Sequence, residues 1–383
     1  MKVSLHIQNG LERIDTARRG IADTIPVWAH TDTQPFSLAK VPVRKFLTDP
    51  RLFIRTHLLL AEYYGLDTSN MTFDLFNIEA EAMGLPLNWT EDRLPEPAAT
   101  TVLIREPAEL NKLHPPDPYK DGRMPFVLEV NRLCSEMGID NALRFCGPFS
   151  LASRLRGLTQ LIMDTMDNPE FVHRLMKFVT EEVLAPYILA IKDAFPGGYP
   201  VGVDAFASLP ICSLDIIKEF SIPYIIKLRE MVGEVGCRAL WGDRLLPNPN
   251  DMFEMKKIYD PKTLWVADPD VFEVGPKRIK EFAIQNNMFL ILGIGEMNFS
   301  EEKRDELMRQ IQEYVTVGGN GGKCAIYFQG VPSRCSSELI RFATQVAHYY
   351  GQKESVYGKG SFQYVPQKPF EEWVAEKGEN YTE

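Results

Sequence analysis

LRFCGPF at Leu143–Phe149, PEFVHRLMKFVTEEVLAPYILAIKDA at Pro169–Ala194 and VGVDAF at Val201–Phe206 read in that order as strand, helix and strand. The outer two are short and β-rich, and the middle one carries apolar residues at helical spacing. Working outward, the same alternation predicts strands at Ile25–His30, Met71–Leu75, Cys237–Gly242, Thr263–Asp268, Phe289–Ile294 and Ala325–Gln329. A further helix is expected over Ser300–Val315, with Ser300 as N-cap and Glu301 and Glu302 in its first turn. Eight strand–helix repeats predict an α/β chain of the (β/α)8 TIM-barrel class, read as a single domain with an N-terminal extension and a long loop after strand 2. A doubly wound open sheet is the competing architecture. No GxGxxG or GxxxxGK[ST] follows any strand, so loops that cradle nucleotides have no support.

Composition narrows the function classes. The 383 residues are 45% hydrophobic and 25% charged, with a net charge of −10 and no Lys/Arg run, which disfavours nucleic acid or an anionic membrane as partner. No apolar run approaches a bilayer span and the amino terminus lacks a signal-like stretch, so a cytoplasmic chain is expected. The six cysteines at 134, 146, 212, 237, 324 and 335 stand singly and read as reduced, packed thiols. The polar tail after Phe362 is expected to pack loosely. The segment Asn88–Arg123, rich in Pro and charge, is longer than a normal connection and reads as a functional excursion or a plain surface insertion.

In a barrel the chemistry collects at the carboxyl ends of the strands. Those ends carry His30 beside Asp32, then Asp74, Asn77, Cys146, Phe149, Asp204, Trp241, Asp243, Asp268, Asp270, Glu296 and Gln329. Acids dominate. Converging carboxylates repel unless a cation or a shared proton offsets them, and the alternative role is helix capping, read here chiefly for Asp243 and Asp270. The candidate catalytic set is His30, Asp74, Asp204, Asp268 and Glu296; Phe149, Phe206, Trp241 and Gln329 are the candidate substrate wall.

GPFSLASRLRG (Gly147–Gly157), DNPEFVHRLMKFVTE after it and VDAFASLPICSLDIIKEFSIPY (Val203–Tyr224) resemble the uroporphyrinogen decarboxylase superfamily, with supporting text in IPVWAH, LTDPRLFIRTHLLLAEYYGLD and FDLFNIEAEAMG. The resemblance covers roughly residues 23–350 and implies a (β/α)8 barrel. It also implies one of two activities: porphyrinogen decarboxylation or corrinoid-dependent methyl transfer. The decarboxylases place arginines in a motif similar to MRQAGR after the first strand, where this chain has AHTDTQPFSLAK; their tyrosine after the third strand and their GHG motif are also missing, and Asp74 alone matches their central aspartate. FNIEAEAMG and DPYKDGRMPFVLEVNRL are similar to the methyltransferase branch, which implies a separate corrinoid protein as partner. The zinc thiolates common there, His-x-Cys after the fifth strand and Cys near the eighth, are replaced by ALWGD and QGVP. A variant that demethylates methoxylated aromatics binds zinc through Glu, Glu and His, which the resemblance maps to Glu81, Glu96 and His114.

The resulting expectation is a methyltransferase working between a small methylated substrate, methoxylated aromatics among the candidates, and a corrinoid protein. The alternatives are decarboxylation of a smaller pyrrolic or aromatic acid held by Asp74, and a non-catalytic barrel subunit.

Overall fold

The structure is a computed structural model that describes residues 3–31, 33–71, 73–139, 143–319, 321–352 and 361–377. Its strands are β1 Val27–Ala29, β2 Thr68–Ser69, β3 Arg144–Cys146, β4 Val201–Val203, β5 Gly236–Arg238, β6 Thr263–Ala267, β7 Phe289–Ile294 and β8 Cys324–Phe328. Every pairing among them is parallel and helices separate them, as the eight-repeat reading requires. They form a five-stranded sheet in the order β2-β1-β8-β7-β6 and a three-stranded sheet in the order β3-β4-β5. Each sheet belongs to one of two compact units: residues 1–41, 52–72 and 262–383, and residues 42–51 and 73–261.

In the first unit, all residues of β7 and β8 are buried, the mark of parallel strands covered on both faces. One face packs Trp28, Trp265, Ile291 and Tyr327 with Phe289 and Ala325, and Ala17 and Ala22 close this cluster from the amino-terminal segment. On the other face Leu292 and Cys324 press on the helix Arg304–Gly319, where a Cβ on Gly318 would come within 2.8 Å of both. That helix starts four residues beyond Ser300, behind a short turn at Glu301–Lys303.

The N-terminal extension is the helix Leu5–Arg18, capped by Ser4 and burying Ile7, Gly10, Ile14 and Ala17 at helical spacing. A Cβ on Gly10 would stand 1.9 Å from the carbonyl oxygen of Asp67, so only glycine fits there. Asp67 is itself a buried clamp: it accepts from Val27 N–H at 2.7 Å and His348 Nε2 at 2.8 Å, and pairs with Arg13. Burial opposes its charge, but His348, Arg13 and the Val27 amide together hold its carboxyl below the usual value.

Two expectations are corrected in this unit. The second strand lies at Thr68–Ser69, because the Asp67 clamp fixes pairing to β1 there; Met71 and Phe73 are buried in irregular backbone instead. The tail is not loose throughout, since Phe370 and Trp373 of the helix Phe370–Lys377 pack on Tyr63 at 5.1 and 5.3 Å between ring centroids.

In the second unit the strands stop earlier than expected. Pro148 has no N–H to donate and opens the helix Pro148–Arg156, which takes Phe149 out of β3. The expected helix over 169–194 runs its full length but winds as a π-helix over Phe178–Leu184. The long excursion is ordered against the 148–156 helix: the amides of Leu103 and Ile104 donate to Leu155 O, and Pro107–Lys112 forms a 3-10 helix closed by a Glu106/Glu109 capping box.

Candidate functional site

At the carboxyl end of the first unit's sheet, alternation along each strand decides what faces the space above the Trp28–Tyr327 layer. Two residues beyond Trp28, Tyr327, Ile291 and Trp265 come His30, Gln329, Gly293 and Ala267. Two polar side chains therefore share a face with two of the smallest residues. The backbone holds this row in register: His30 N–H donates to Phe328 O, Gln329 N–H to Ile294 O and Asp268 N–H to Gly293 O, at 2.8 to 3.0 Å. Gly293 is required for it, because a Cβ there would lie 2.4 Å from Ala267 Cβ and 3.4 Å from Gln329 Oε1.

Gln329 Oε1 is buried and has no hydrogen-bond partner among the described residues. Beside it, Glu296 Oε2 lies 3.9 Å from the position a Cβ on Gly330 would take. No ion pair or hydrogen bond occupies the Glu296 carboxylate among the described residues, and it is exposed. An unpartnered acceptor and a free carboxylate just past the ends of adjacent parallel strands, which run about 4.8 Å apart, are groups available to a ligand.

Asp268 serves this pair by bracing it. Its carboxylate accepts from Tyr314 OH at 2.5 Å, Gln310 Nε2 at 2.8 Å, and Gly295 N–H and Asn298 Nδ2 at 3.1 Å. These bonds fix both ends of the Glu296–Asn298 turn. Burial raises the Asp268 carboxyl above its ordinary value despite its hydrogen-bond donors. Asp268 is thus a positioning residue, saturated by protein groups. His30 is half-buried at the end of β1, and Asp32, expected as its orienting partner, lies outside the described residues.

In the second unit the acids are consumed by scaffold roles. Asp204 is fully buried and accepts from Ser150 N–H at 2.7 Å, Phe149 N–H at 3.4 Å and Ser221 Oγ at 2.8 Å. It caps the Pro148–Arg156 helix from another strand, a correction to its expected catalytic place; burial raises its carboxyl. Asp243, expected as a cap, is instead paired with Lys256 at 2.5 Å. Asp74 is taken by Arg123 in a bidentate pair, 2.6 Å on each arm, with Asn77 Nδ2 at 3.2 Å, so it is not open to a ring nitrogen.

Phe149 is fully buried core rather than substrate wall. Trp241 is half-buried three residues past the end of β5, its N–H donating to Ser208 Oγ. Phe206 is half-buried, stacked on Phe76 at 5.8 Å and 28°, with the Arg154 guanidinium 5.8 Å from its ring centroid.

The three expected metal ligands are not gathered. Glu81 pairs with Arg123 at 2.6 Å, Glu96 with Arg154 at 3.1 Å, and His114 is exposed past the 3-10 helix. Among the described residues no group of three or more His, Cys, Asp or Glu is arranged to hold a metal. The thiols give no alternative: five cysteines are buried, and burial pushes those of Cys212, Cys324 and the partly buried Cys335 up to about 12. These residues do not fit a zinc ion.

Residues that sequence reading missed include Glu79 and Arg154. Glu79 is fully buried on the Ile78–Ala82 helix; one oxygen accepts from Cys146 N–H at 2.8 Å and the other has no hydrogen-bond partner among the described residues. Arg154 was legible only as the residue one helical turn beyond Ser150.

A family model described as uroporphyrinogen decarboxylase (URO-D) matches residues 12–240. Among curated proteins, a methylated-thiol–coenzyme M methyltransferase of Methanosarcina mazei is 23% identical over 214 residues, 55% of this chain and 55% of that protein. The match spans about half the length of that relative. Among solved structures, a methyltransferase from Methanosarcina mazei superposes with a TM-score of 0.71 at 20% identity, covering 88% of this chain and 98% of that one, a likeness of fold.

Proposed function

The chain belongs to the uroporphyrinogen decarboxylase family, and we propose that within it this protein is a methyltransferase. It moves a methyl group between a small methylated substrate, a methoxylated aromatic among the candidates, and a corrinoid carried by a separate protein. The observation that carries this reading is that, among the described residues, the Glu296 carboxylate and Gln329 Oε1 have no protein partner at neighbouring strand ends, where Asp268 braces the Glu296 turn. Methyl transfer is favoured over decarboxylation because Asp74, the residue a ring-binding decarboxylase would use, is closed by Arg123. The name of the Methanosarcina relative supports the same choice.

In such a transfer the methyl–heteroatom bond would break with its electron pair left on the heteroatom, and a corrinoid carried by the partner protein would supply the nucleophile for the methyl group. What the chain must add is orientation of the substrate and a proton for the leaving heteroatom. Glu296, entering the forward step as the neutral acid, is assigned the proton transfer at its Oε atoms and is left as carboxylate, Gln329 Oε1 accepts a hydrogen bond that fixes the substrate, and His30 stands on the same face as a second polar contact. In the reverse direction Glu296 takes the proton back, as microscopic reversibility requires.

The test is the absorbance change of free cob(I)alamin and of a corrinoid protein on incubation with methoxyarenes, methylamines and methylated thiols. Glu296→Gln is expected to lower the rate by about 10²-fold or more with little effect on stability, since the side chain is exposed. No absorbance change across the panel, or an unchanged rate in Glu296→Gln, refutes the reading.

A further inference from the structure

Arg154 stands in an unusual electrostatic position. It projects from the Pro148–Arg156 helix with its side chain 19% exposed, and its Nε–H is buried without a hydrogen-bond partner among the described residues. Its guanidinium lies 5.8 Å from the centroid of Phe206, which stacks on Phe76, both residues being partly buried rather than fully enclosed. The cation's carboxylate partner is Glu96, at 3.1 Å and 59% exposed, a rim contact that solvent weakens.

The surroundings are built to hold this geometry. Asp204 caps the helix at Ser150 N–H, and Ser150 Oγ accepts the Phe206 N–H at 3.2 Å. Arg154 follows Ser150 by one helical turn, so the same chain of bonds sets the guanidinium over the aromatic loop. A buried donor left unpaired is costly, and scaffold bonds rarely converge to present one.

We propose that Arg154 with Phe76 and Phe206 forms a binding site for a planar aromatic carboxylate. The guanidinium pairs with the carboxylate, displacing Glu96, and the two phenylalanine rings take the aromatic face. Guanidinium and carboxylate match in planar, two-armed geometry, and a ring adds stacking that an aliphatic acid lacks. The proposal stands apart from methyl transfer and is tested by binding alone.

The probe is benzoate, followed by titration calorimetry and ligand-observed NMR on the full chain. Benzoate is expected to bind saturably, with benzamide and cyclohexanecarboxylate weaker. Arg154→Met is expected to weaken binding roughly tenfold or more, corresponding to one lost charge-assisted pair. Glu96→Gln removes the competing carboxylate, whose side chain is 59% exposed, and is expected to tighten binding several-fold. Absence of saturable binding in both the wild type and Glu96→Gln overturns the proposal. Equal affinity for benzoate and benzamide, unchanged binding in Arg154→Met, or no gain in Glu96→Gln does so as well.

Discussion

Replacing Glu79 by glutamine removes a buried titrating proton while keeping the side-chain volume and the oxygen that accepts from Cys146 N–H. Glu79 is 0% exposed, and burial, reinforced by the charge of Asp74, raises its carboxyl from 4.5 to about 7. The folded chain therefore keeps this proton through a pH range in which the unfolded chain releases it, so stability falls as pH rises from 4.5 and levels off above about 7. For a single site with these two values the loss is about 1 kcal/mol at pH 5 and about 3 kcal/mol at pH 8. Glutamine has no such dependence. Urea unfolding of both proteins from pH 5 to pH 8 cancels every other titrating group they share, and the difference in unfolding free energy is expected to widen by about 2.5 kcal/mol in favour of Glu79→Gln. The unpartnered second oxygen fits this account, because a protonated carboxyl carries no charge to be solvated. A difference that stays flat within about 0.5 kcal/mol over that range would refute the reasoning, by showing that Glu79 is ionised or solvated when folded.

Two further predictions concern the first unit. Asp67→Asn breaks the pairs with Arg13 and His348 and is expected to cost about 3–5 kcal/mol in denaturant unfolding at pH 7. Because the folded carboxyl sits below its usual value, that contribution is present above about pH 3.8 and lost as pH falls through the lower folded value, so the variant should lose less on acidification than the wild type. Gly293→Ala places a Cβ 2.4 Å from Ala267 Cβ and should cost about 1–3 kcal/mol while lowering methyl transfer through Gln329; wild-type stability in this variant would contradict the spacing of β6 and β7.

The legible part of the fold was the part that buries strands on both faces. FLILGI is observed as β7 over the expected residues, and β6 and β8 differ from expectation by one residue at their ends, because an unbroken apolar run has one stable use in a parallel sheet. β2 was misplaced because its position depends on Asp67 meeting Val27 N–H, a contact across 40 residues that no local pattern records. The tail helix escaped notice for a related reason: Phe370 and Trp373 are two aromatics in polar text, and Tyr63, which they cover, is remote in sequence.

At the candidate site, the residue types at the strand ends are plain in the sequence, whereas the partners that decide their roles stand far away along the chain. Capping rules look to the next helix, as in the reading of Asp243 as a cap, whereas Asp204 caps a helix more than 50 residues earlier. Asp74 looked available because its partner Arg123 stands at the far end of the long excursion.

The strand-end acids share out their work according to how many donors reach them. Asp74 meets a bidentate guanidinium, Asp204 a helix terminus, Asp243 a buried lysine and Asp268 several donors, and each of these carboxylates is thereby committed to holding backbone in place. A carboxylate so saturated cannot also exchange a proton with a substrate without breaking scaffold bonds, which costs stability. Glu296 escapes that commitment because Asp268 collects the donors around it: Gly295 N–H and Asn298 Nδ2, its neighbours in the turn, both point to Asp268 rather than to Glu296. The same logic applies in the second unit, where Asp204 and Ser150 absorb the amides around Phe206 and leave the Arg154 Nε–H unpaired. In each unit, then, the saturated acid marks its unsatisfied neighbour as the group to test for chemistry or binding. Counting acids at strand ends finds the region, and only the accounting of their donors separates the brace from the reactive group.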